Sequence, residues 1–268
     1  MRLKIQLSYN NFTVPMSYQS ILQGVIYSLL SKDELGDFYH NDGYHYDKKT
    51  FKCFTFSQLF GKYKIENKHL IFDDDFYFYI SSLDEKFLKH IYKTILLNNS
   101  LLINKQQVKI KNISILNLQP FIGTKKICIE TLSPMLIYST KDNYSTYYRP
   151  SDKESLNFII NNIQDKCLAY HYPIKELVFK IDHIIYEKRR MMKFKNCFYE
   201  CFMTKLEIET NFETLSLIYN CGLSSKNSCG FGMIDIAHEK SNISFFDGCV
   251  VCFLFRRFPD GGTGDIGN

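Results

Sequence analysis

Two stretches of the sequence carry side chains suited to holding phosphate. The first is Gly222-Leu-Ser-Ser-Lys-Asn-Ser-Cys-Gly-Phe-Gly232. Glycines at 222, 230 and 232 can take positive φ and admit a neighbouring backbone at close range. Ser225, Lys226, Asn227 and Ser228 offer donors to phosphate oxygens, and successive exposed backbone N–H groups would form an anion-binding nest. A plain glycine turn is the competing reading from chemistry alone. A dinucleotide fingerprint fits poorly, because this loop enters a strand instead of opening a helix. The second stretch is Lys188-Arg189-Arg190-Met191-Met192-Lys193-Phe194-Lys195, five cations in eight residues and the densest basic run in the chain. A basic hairpin turn neutralises several phosphates of a nucleic acid, with an ordinary solvated loop as the bland alternative. Arg149, following Tyr144, Tyr147 and Tyr148, is a weaker candidate for stacking or phosphate contact.

Composition limits what these groups serve. The chain has 268 residues, 45% of them hydrophobic and 23% charged, which excludes general disorder and fibrous structure. The 33 Lys and Arg against 28 Asp and Glu leave +5, a mild excess that permits an anionic partner without requiring one. The N-terminus alternates polar and apolar residues like a strand and lacks the apolar core of a signal peptide. No run approaches the ~18 apolar residues of a membrane span, so no membrane partner is expected. Nine scattered cysteines fit reduced thiols in a cytoplasm. Cys249-Val-Val-Cys252 has no second pair and no histidine at ligand spacing, so neither a metal nor a cofactor is expected.

The elements that must position these groups follow from hydrophobic periodicity. Arg2–Leu7 alternates as a strand, and Ile21, Leu22, Val25, Ile26, Leu29 and Leu30 mark an amphipathic helix over 17–31. Strands are expected at Phe51–Ser57, Asp75–Ser81 and Gln107–Ile113, with a helix near Asp84–Leu97. The order is βαββαβ, the ferredoxin-like (RRM-like) arrangement. The second half repeats it: strands at Lys125–Leu132 and Met135–Ser139, a helix at Asp152–Tyr170, strands near Leu177–Tyr186 and Phe198–Glu209, a helix around Glu213–Tyr219, and a last strand, Phe231–Ile236. The expected fold is α+β, two tandem ferredoxin-like domains over residues 1–115 and 123–237, followed by an atypical glycine-rich tail over 238–268.

The Gly222–Gly232 loop followed by Met-Ile-Asp-Ile resembles the C-terminal signature of the RAMP superfamily of CRISPR-associated proteins. Val14-Pro15, Tyr18-Gln19, Leu22-Gln23-Gly24-Val-Ile-Tyr27, His40, Phe51-Lys52-Cys-Phe-Thr-Phe-Ser57 and Thr131-Leu-Ser-Pro134 resemble the member that cuts CRISPR repeat RNA, the sixth Cas family. The matches run in order over residues 1 to 237. One departure is Ser224, which stands where the family loop usually has a second glycine.

The resemblance implies a metal-independent endoribonuclease that makes guide RNAs by attack of a ribose 2′-OH on the adjacent phosphate. The products are a 2′,3′-cyclic phosphate (or 3′-phosphate) and a 5′-OH. Such chemistry needs a base, an acid and positive charge on the non-bridging oxygens. The family's Tyr/His/Lys triad maps onto Tyr27, His40 and Lys52. Tyr27 falls on the helix face opposite the apolar stripe, beside Ser20, Gln23 and Ser31. Histidine is the side chain whose ordinary pKa lies near neutrality, which suits proton transfer, but His45 competes with His40 in the same loop. Which of Tyr27 and His40 is the base stays open. Lys52 alternates with Phe54 and Phe56 on one expected strand face, where it is either a solvated strand end or a cation for phosphate. The family recognises repeat RNA with its second half, which contains both the basic hairpin and the glycine loop. CRISPR repeat RNA is the implied partner, with interference-complex subunits and a second copy of the chain as further candidates. The rival readings are a non-catalytic RNA-binding module that holds repeat or guide RNA, and a general phosphate-ligand binder.

Overall fold

The computed structural model describes residues 1–30, 34–142 and 144–237. Cys249, Cys252 and the tail expected over 238–268 lie outside the described residues. The first half contains β1 (Arg2–Ser8), β2 (Phe12–Pro15), α1 (Gln19–Ser28), α2 (Glu34–Asp37), a π-helical turn at Phe38–Asp42, β3 (Tyr44–Tyr46), β4 (Lys49–Phe51), β5 (Phe54–Phe56), β6 (Phe60–Glu66), β7 (His69–Ser82), α3 (Glu85–Leu97), β8 (Ser100–Ile103) and β9 (Gln106–Leu116). The second half contains β10 (Thr124–Thr131), β11 (Ile137–Lys141), β12 (Tyr144–Tyr148), α4 (Ser155–Ala169), β13 (Phe179–Phe194), β14 (Cys197–Asn211), α5 (Phe212–Cys221), a 3-10 turn at Asn227–Cys229 and β15 (Ile234–Ile236).

The second sheet runs β13-β14-β10-β15, wholly antiparallel, with α4 and α5 as its crossovers. That is the ferredoxin-like strand order. The first sheet contains the same order as β9-β1-β7-β5. It has seven strands instead of the four expected. At 14 residues β7 outruns its partner β1, and its first half is flanked on both sides, by β2 at Leu70 and Phe72 and by β6 over the same residues. Unpaired backbone groups there would otherwise face a core of Phe12, Phe72 and Phe76, whose rings pack together with Phe12 and Phe76 at 4.4 Å.

Local signals account for the helices. α1 buries Leu22, Val25 and Ile26, the stripe visible in the sequence. α3 is capped by Asp84, whose Oδ1 accepts from the Lys86 and Phe87 amides, and it buries Phe87, Leu88, Ile91 and Ile95. The second core gathers Ile129, Ile163, Leu206, Ile208, Leu215 and Ile218 between sheet and helices.

Two expected elements are drawn differently. The stretch Phe51–Ser57 is two strands, β4 and β5, because Cys53 takes a left-handed backbone (φ 52°). Its N–H donates to the Tyr170 hydroxyl and its carbonyl accepts from Ser82 Oγ, bonds that hold the break in place. The expected basic turn at Lys188–Lys195 is strand. β13 pairs with β14 out to Phe194 and Cys197, and only Lys195 and Asn196 form the turn. Met192 and Phe194 are buried against Leu136, Cys201 and Phe231, and this burial extends the ladder beyond where charge alone would end it. In addition, β11 begins at Ile137, later than expected, and pairs with β12 as a separate hairpin.

The halves are pinned together by Arg2. Its guanidinium is fully buried, donates to the carbonyls of Tyr219 (2.9 Å) and Ile234 (2.7 Å), lies 3.5 Å from the Tyr219 ring centroid, and pairs with Asp235 at 3.2 Å.

Candidate active site and nucleic-acid interface

Tyr27, His40 and Lys52 come from three separate elements and meet. Tyr27, near the end of α1, is half-buried, with Phe54 edge-on at 5.8 Å. The exposed His40 ring stands edge-on to the Tyr27 ring, centroids 4.9 Å apart. Lys52 Nζ donates to the His40 carbonyl at 3.1 Å. His45 lies on β3, exposed, with its Nδ1 bonded to Thr50 Oγ1. Of the two histidines competing in the sequence, His40 is the one beside Tyr27.

The break at Cys53 moves Lys52 off the strand face it was expected to share with Phe54 and Phe56. Those phenylalanines go into the core, and the lysine goes to the π-helical turn. Two residues absent from the sequence-based site complete this arrangement. Gly43 ends the turn at φ 74°, and a Cβ there would lie 2.6 Å from the Phe51 carbonyl oxygen and 2.9 Å from Lys52 Cδ. Only glycine lets β4 and Lys52 come this close. Asp84, besides capping α3, accepts from Tyr44 OH at 2.9 Å and from Tyr39 OH, so the turn carrying His40 is tied to a helix N-terminus. Asn41-Asp42-Gly43 signalled a turn in the sequence; nothing signalled the reach of Asp84.

The electrostatics sort the groups. Burial, with a smaller contribution from Cys229, pushes the Tyr27 phenol up to about 12, so it is protonated throughout the neutral range. Burial lowers the Lys52 ammonium, and Asp42 opposes that shift.

The glycine loop packs beside this site. Gln23 of α1 donates to the Ser228 carbonyl at 2.7 Å, and Gly230 lies against Phe56 and Gln19. The expected anion nest is mostly spent internally. The amides of Leu223, Ser225, Cys229, Gly230 and Gly232 all donate to carbonyls of the chain itself. Asn227 is buried and donates to the Leu223 and Phe231 carbonyls, so it braces the loop and is turned away from solvent. The Cβ positions of Gly222 and Gly232 are filled by Asn227 and by the Leu223 carbonyl, so these glycines serve the loop's own closure. Ser224 takes the left-handed conformation its glycine counterpart would take (φ 65°), and its buried Oγ accepts from the Leu136 amide. The half-buried Ser225, Lys226 and Ser228 remain on the accessible side. Lys226 Nζ lies over the rings of Tyr138 (5.6 Å) and Tyr199 (5.4 Å). Burial lowers its ammonium, but the two phenols and Cys229 outweigh this and hold it above its ordinary value. Beneath the loop, the fully buried Lys166 of α4 donates to the carbonyls of Gly222 (2.8 Å) and Ser224 (2.9 Å), a brace with no sequence signal.

On β13, Lys188 and Lys193 are exposed and Arg190 is half-buried, and Lys195 is exposed in the turn that follows. Arg189 is already engaged: Nε and an Nη bind both Glu200 carboxylate oxygens at 2.8 Å. Lys193 also lies over the exposed Phe198 ring, 5.7 Å from its centroid. The ribbon therefore offers cations and an aromatic face together.

Residues 116–236 match the family model described as CRISPR associated protein Cas6, C-terminal. The chain is 26% identical over 248 residues to the CRISPR-associated endoribonuclease Cas6 1 of Methanocaldococcus jannaschii, covering 90% of this chain and 94% of that protein. It is 24% identical over 237 residues to the CRISPR-associated endoribonuclease Cas6 of Pyrococcus furiosus, covering 86% of each. A solved CRISPR associated protein Cas6 superposes with a TM-score of 0.73 at 22% identity, over 89% of this chain and 99% of that one. A structure described as an RAMP protein binding different RNA substrates superposes at 0.71 with 17% identity, over 89% and 100%. Fold, sequence and the loop signature agree: residues 116–236 match the Cas6 C-terminal family, and over most of its length the chain is similar to CRISPR-associated Cas6 endoribonucleases.

Proposed function

We propose that this chain is the endoribonuclease that cuts CRISPR precursor transcripts within their repeats, in the cytoplasm, through 2′-OH attack without a metal ion. The observation that carries the reading is the meeting of Tyr27, His40 and Lys52 from three elements. His40, exposed beside the phenol, accepts the proton of the attacking 2′-OH. Tyr27, protonated at neutral pH, donates to the departing 5′-oxygen as the P–O bond breaks. The imidazolium and phenolate then return to their starting states by proton exchange. Lys52 sets a positive charge against the non-bridging oxygens, where charge grows in the transition state. The products are a 2′,3′-cyclic phosphate, or the 3′-phosphate formed from it, and a 5′-OH. Lys188, Arg190, Lys193 and Lys195 with Ser225, Lys226 and Ser228 form the RNA-facing surface. Arg189, Gly222, Asn227, Gly230 and Gly232 shape it.

Labelled cognate repeat RNA incubated with the protein in EDTA tests this reading. Cutting should persist. Lys52→Ala should slow it by about 10²–10³-fold while binding of a 2′-deoxy substrate changes far less. Cutting that vanishes with the metal would overturn the mechanism. Tight binding without cutting would favour the RNA-holding module.

A further inference from the structure

Between the two halves lies a cavity of about 700 Å³ lined by Lys52 but not by Tyr27 or His40. Its walls come from both halves: β4 on one side, β11, α4 and the glycine loop on the other. Four half-buried aromatic rings face it, Phe51, Tyr138, Phe158 and Tyr170, while Lys49 and Lys226 join Lys52 among its lining cations. Its volume falls within the range of about 300–1,000 Å³ that holds small organic ligands. Aromatic walls with cations beside them suit a nucleotide, whose base stacks while its phosphate is neutralised.

We infer that this cavity seats one unpaired nucleobase directly flanking the scissile phosphate, stacked against Phe51 and Tyr138. The inference rests on the proposed RNA cleavage and deepens it. Lys52 belongs both to the cleavage triad and to the cavity lining, whereas Tyr27 and His40 do not line the cavity. A strand whose scissile phosphate lies at Lys52 therefore has one neighbour at Tyr27 and His40 and the other at the cavity mouth. The base on the cavity side is splayed out and held, which aligns the 2′-oxygen, phosphorus and 5′-oxygen for displacement. The fit is a stacking fit, so the position requires a base more than it requires one particular base.

The test compares cutting of repeat RNAs in which each of the two nucleotides flanking the cut is replaced, one at a time, by an abasic residue. It uses wild-type protein and the Phe51→Ala, Tyr138→Ala and Tyr138→Phe variants. One flank should be sensitive, losing about 5- to 100-fold in kcat/KM on base removal. That sensitivity should shrink to within about twofold in Phe51→Ala and Tyr138→Ala and be kept by Tyr138→Phe, which retains the ring. A variant that does not fold is identified by its circular dichroism, and the remaining ring variant then carries the comparison. Abasic substitution that is harmless at both flanks while wild-type protein still cuts would overturn the nucleobase seat and leave the endoribonuclease reading standing. Equal sensitivity in wild type and ring variants would also overturn the seat. Absence of cutting on every RNA would instead overturn the endoribonuclease reading, and this inference with it.

Discussion

The His40 imidazole stands edge-on to the Tyr27 phenol at 4.9 Å, although one sits on a π-helical turn and the other on α1. His45 instead lies on the β3–β4 hairpin, where its Nδ1 meets Thr50. His40→Ala should therefore lower the cleavage rate by about 10²–10⁴-fold, the usual weight of a positioned acid or base. His45→Ala should stay within a few-fold of wild type. Single-turnover cutting of repeat RNA measures both, and the opposite ranking would reassign the catalytic histidine.

Tyr27 titrates near 12 because burial disfavours its phenolate. A group with so high a pKa stays protonated across the working range, so it adds no inflection between pH about 6 and about 9. Tyr27→Phe should lower the rate by a similar factor at every pH in that window, giving a profile parallel to wild type. A limb that disappears with the hydroxyl would show instead that Tyr27 ionises during the neutral-range reaction.

Arg2 gives its buried guanidinium to Tyr219, Ile234 and Asp235, all contributed by the other half. Arg2→Met leaves two buried carbonyls without this donor and removes the charge opposite Asp235. The expected loss is about 3–5 kcal/mol of unfolding free energy. Chemical denaturation measures it. A change below about 1 kcal/mol would mean the halves are held mainly by apolar packing.

Lys166 supplies a pH signature. Burial pushes its ammonium down to about 7, against the opposing influence of Cys221, Cys53 and Cys167. The unfolded lysine holds its proton to about 10.4. Between these values the unfolded chain binds the extra proton, so stability rises with pH through the window and the full penalty is present below it. Across the whole window the contribution is on the order of 3–5 kcal/mol. Lys166→Met should flatten the rise in melting temperature between pH about 7 and about 10. A slope identical to wild type would assign the titration elsewhere, to the Met1 amino group first, since burial and Arg2 lower it as well.

The basic ribbon makes a prediction about salt. Lys193 and Lys195 are exposed, whereas Arg189 is clamped by Glu200. Replacing both lysines by alanine should reduce the slope of log K against log salt by about 2, near one for each phosphate left without its lysine. Arg189→Ala should change it much less. Fluorescence anisotropy across a salt series distinguishes the two.

What could be read in the sequence was whatever short-range patterning controls. The stripe from Leu22 to Ile26 specified α1, Asp84 with the periodicity behind it specified α3, and alternation in both halves specified two ferredoxin-like sheets. The density of charge at Lys188–Lys195 was equally plain, but its shape was not. Buried Met192 and Phe194 turn the expected loop into strand, because packing against Leu136 and Phe231 joins segments far apart in the chain. Likewise the glycines of the loop were visible, but not their use. Hydrogen bonds from Asn227 and Lys166, and the fit of Gly230 against Phe56, depend on which surfaces meet.

The sequence by itself determined the residue types of the candidate site, the two-part fold and the loop signature. Only the tertiary structure decided that His40 and not His45 reaches Tyr27, and that Lys52 leaves its strand for the same turn. The physical reason is that each of these placements is fixed by an interaction between segments remote in the chain. The left-handed Cys53 is held by Tyr170 and Ser82, and the turn bearing His40 is held by Asp84. Such interactions leave no periodicity for a local reading to detect.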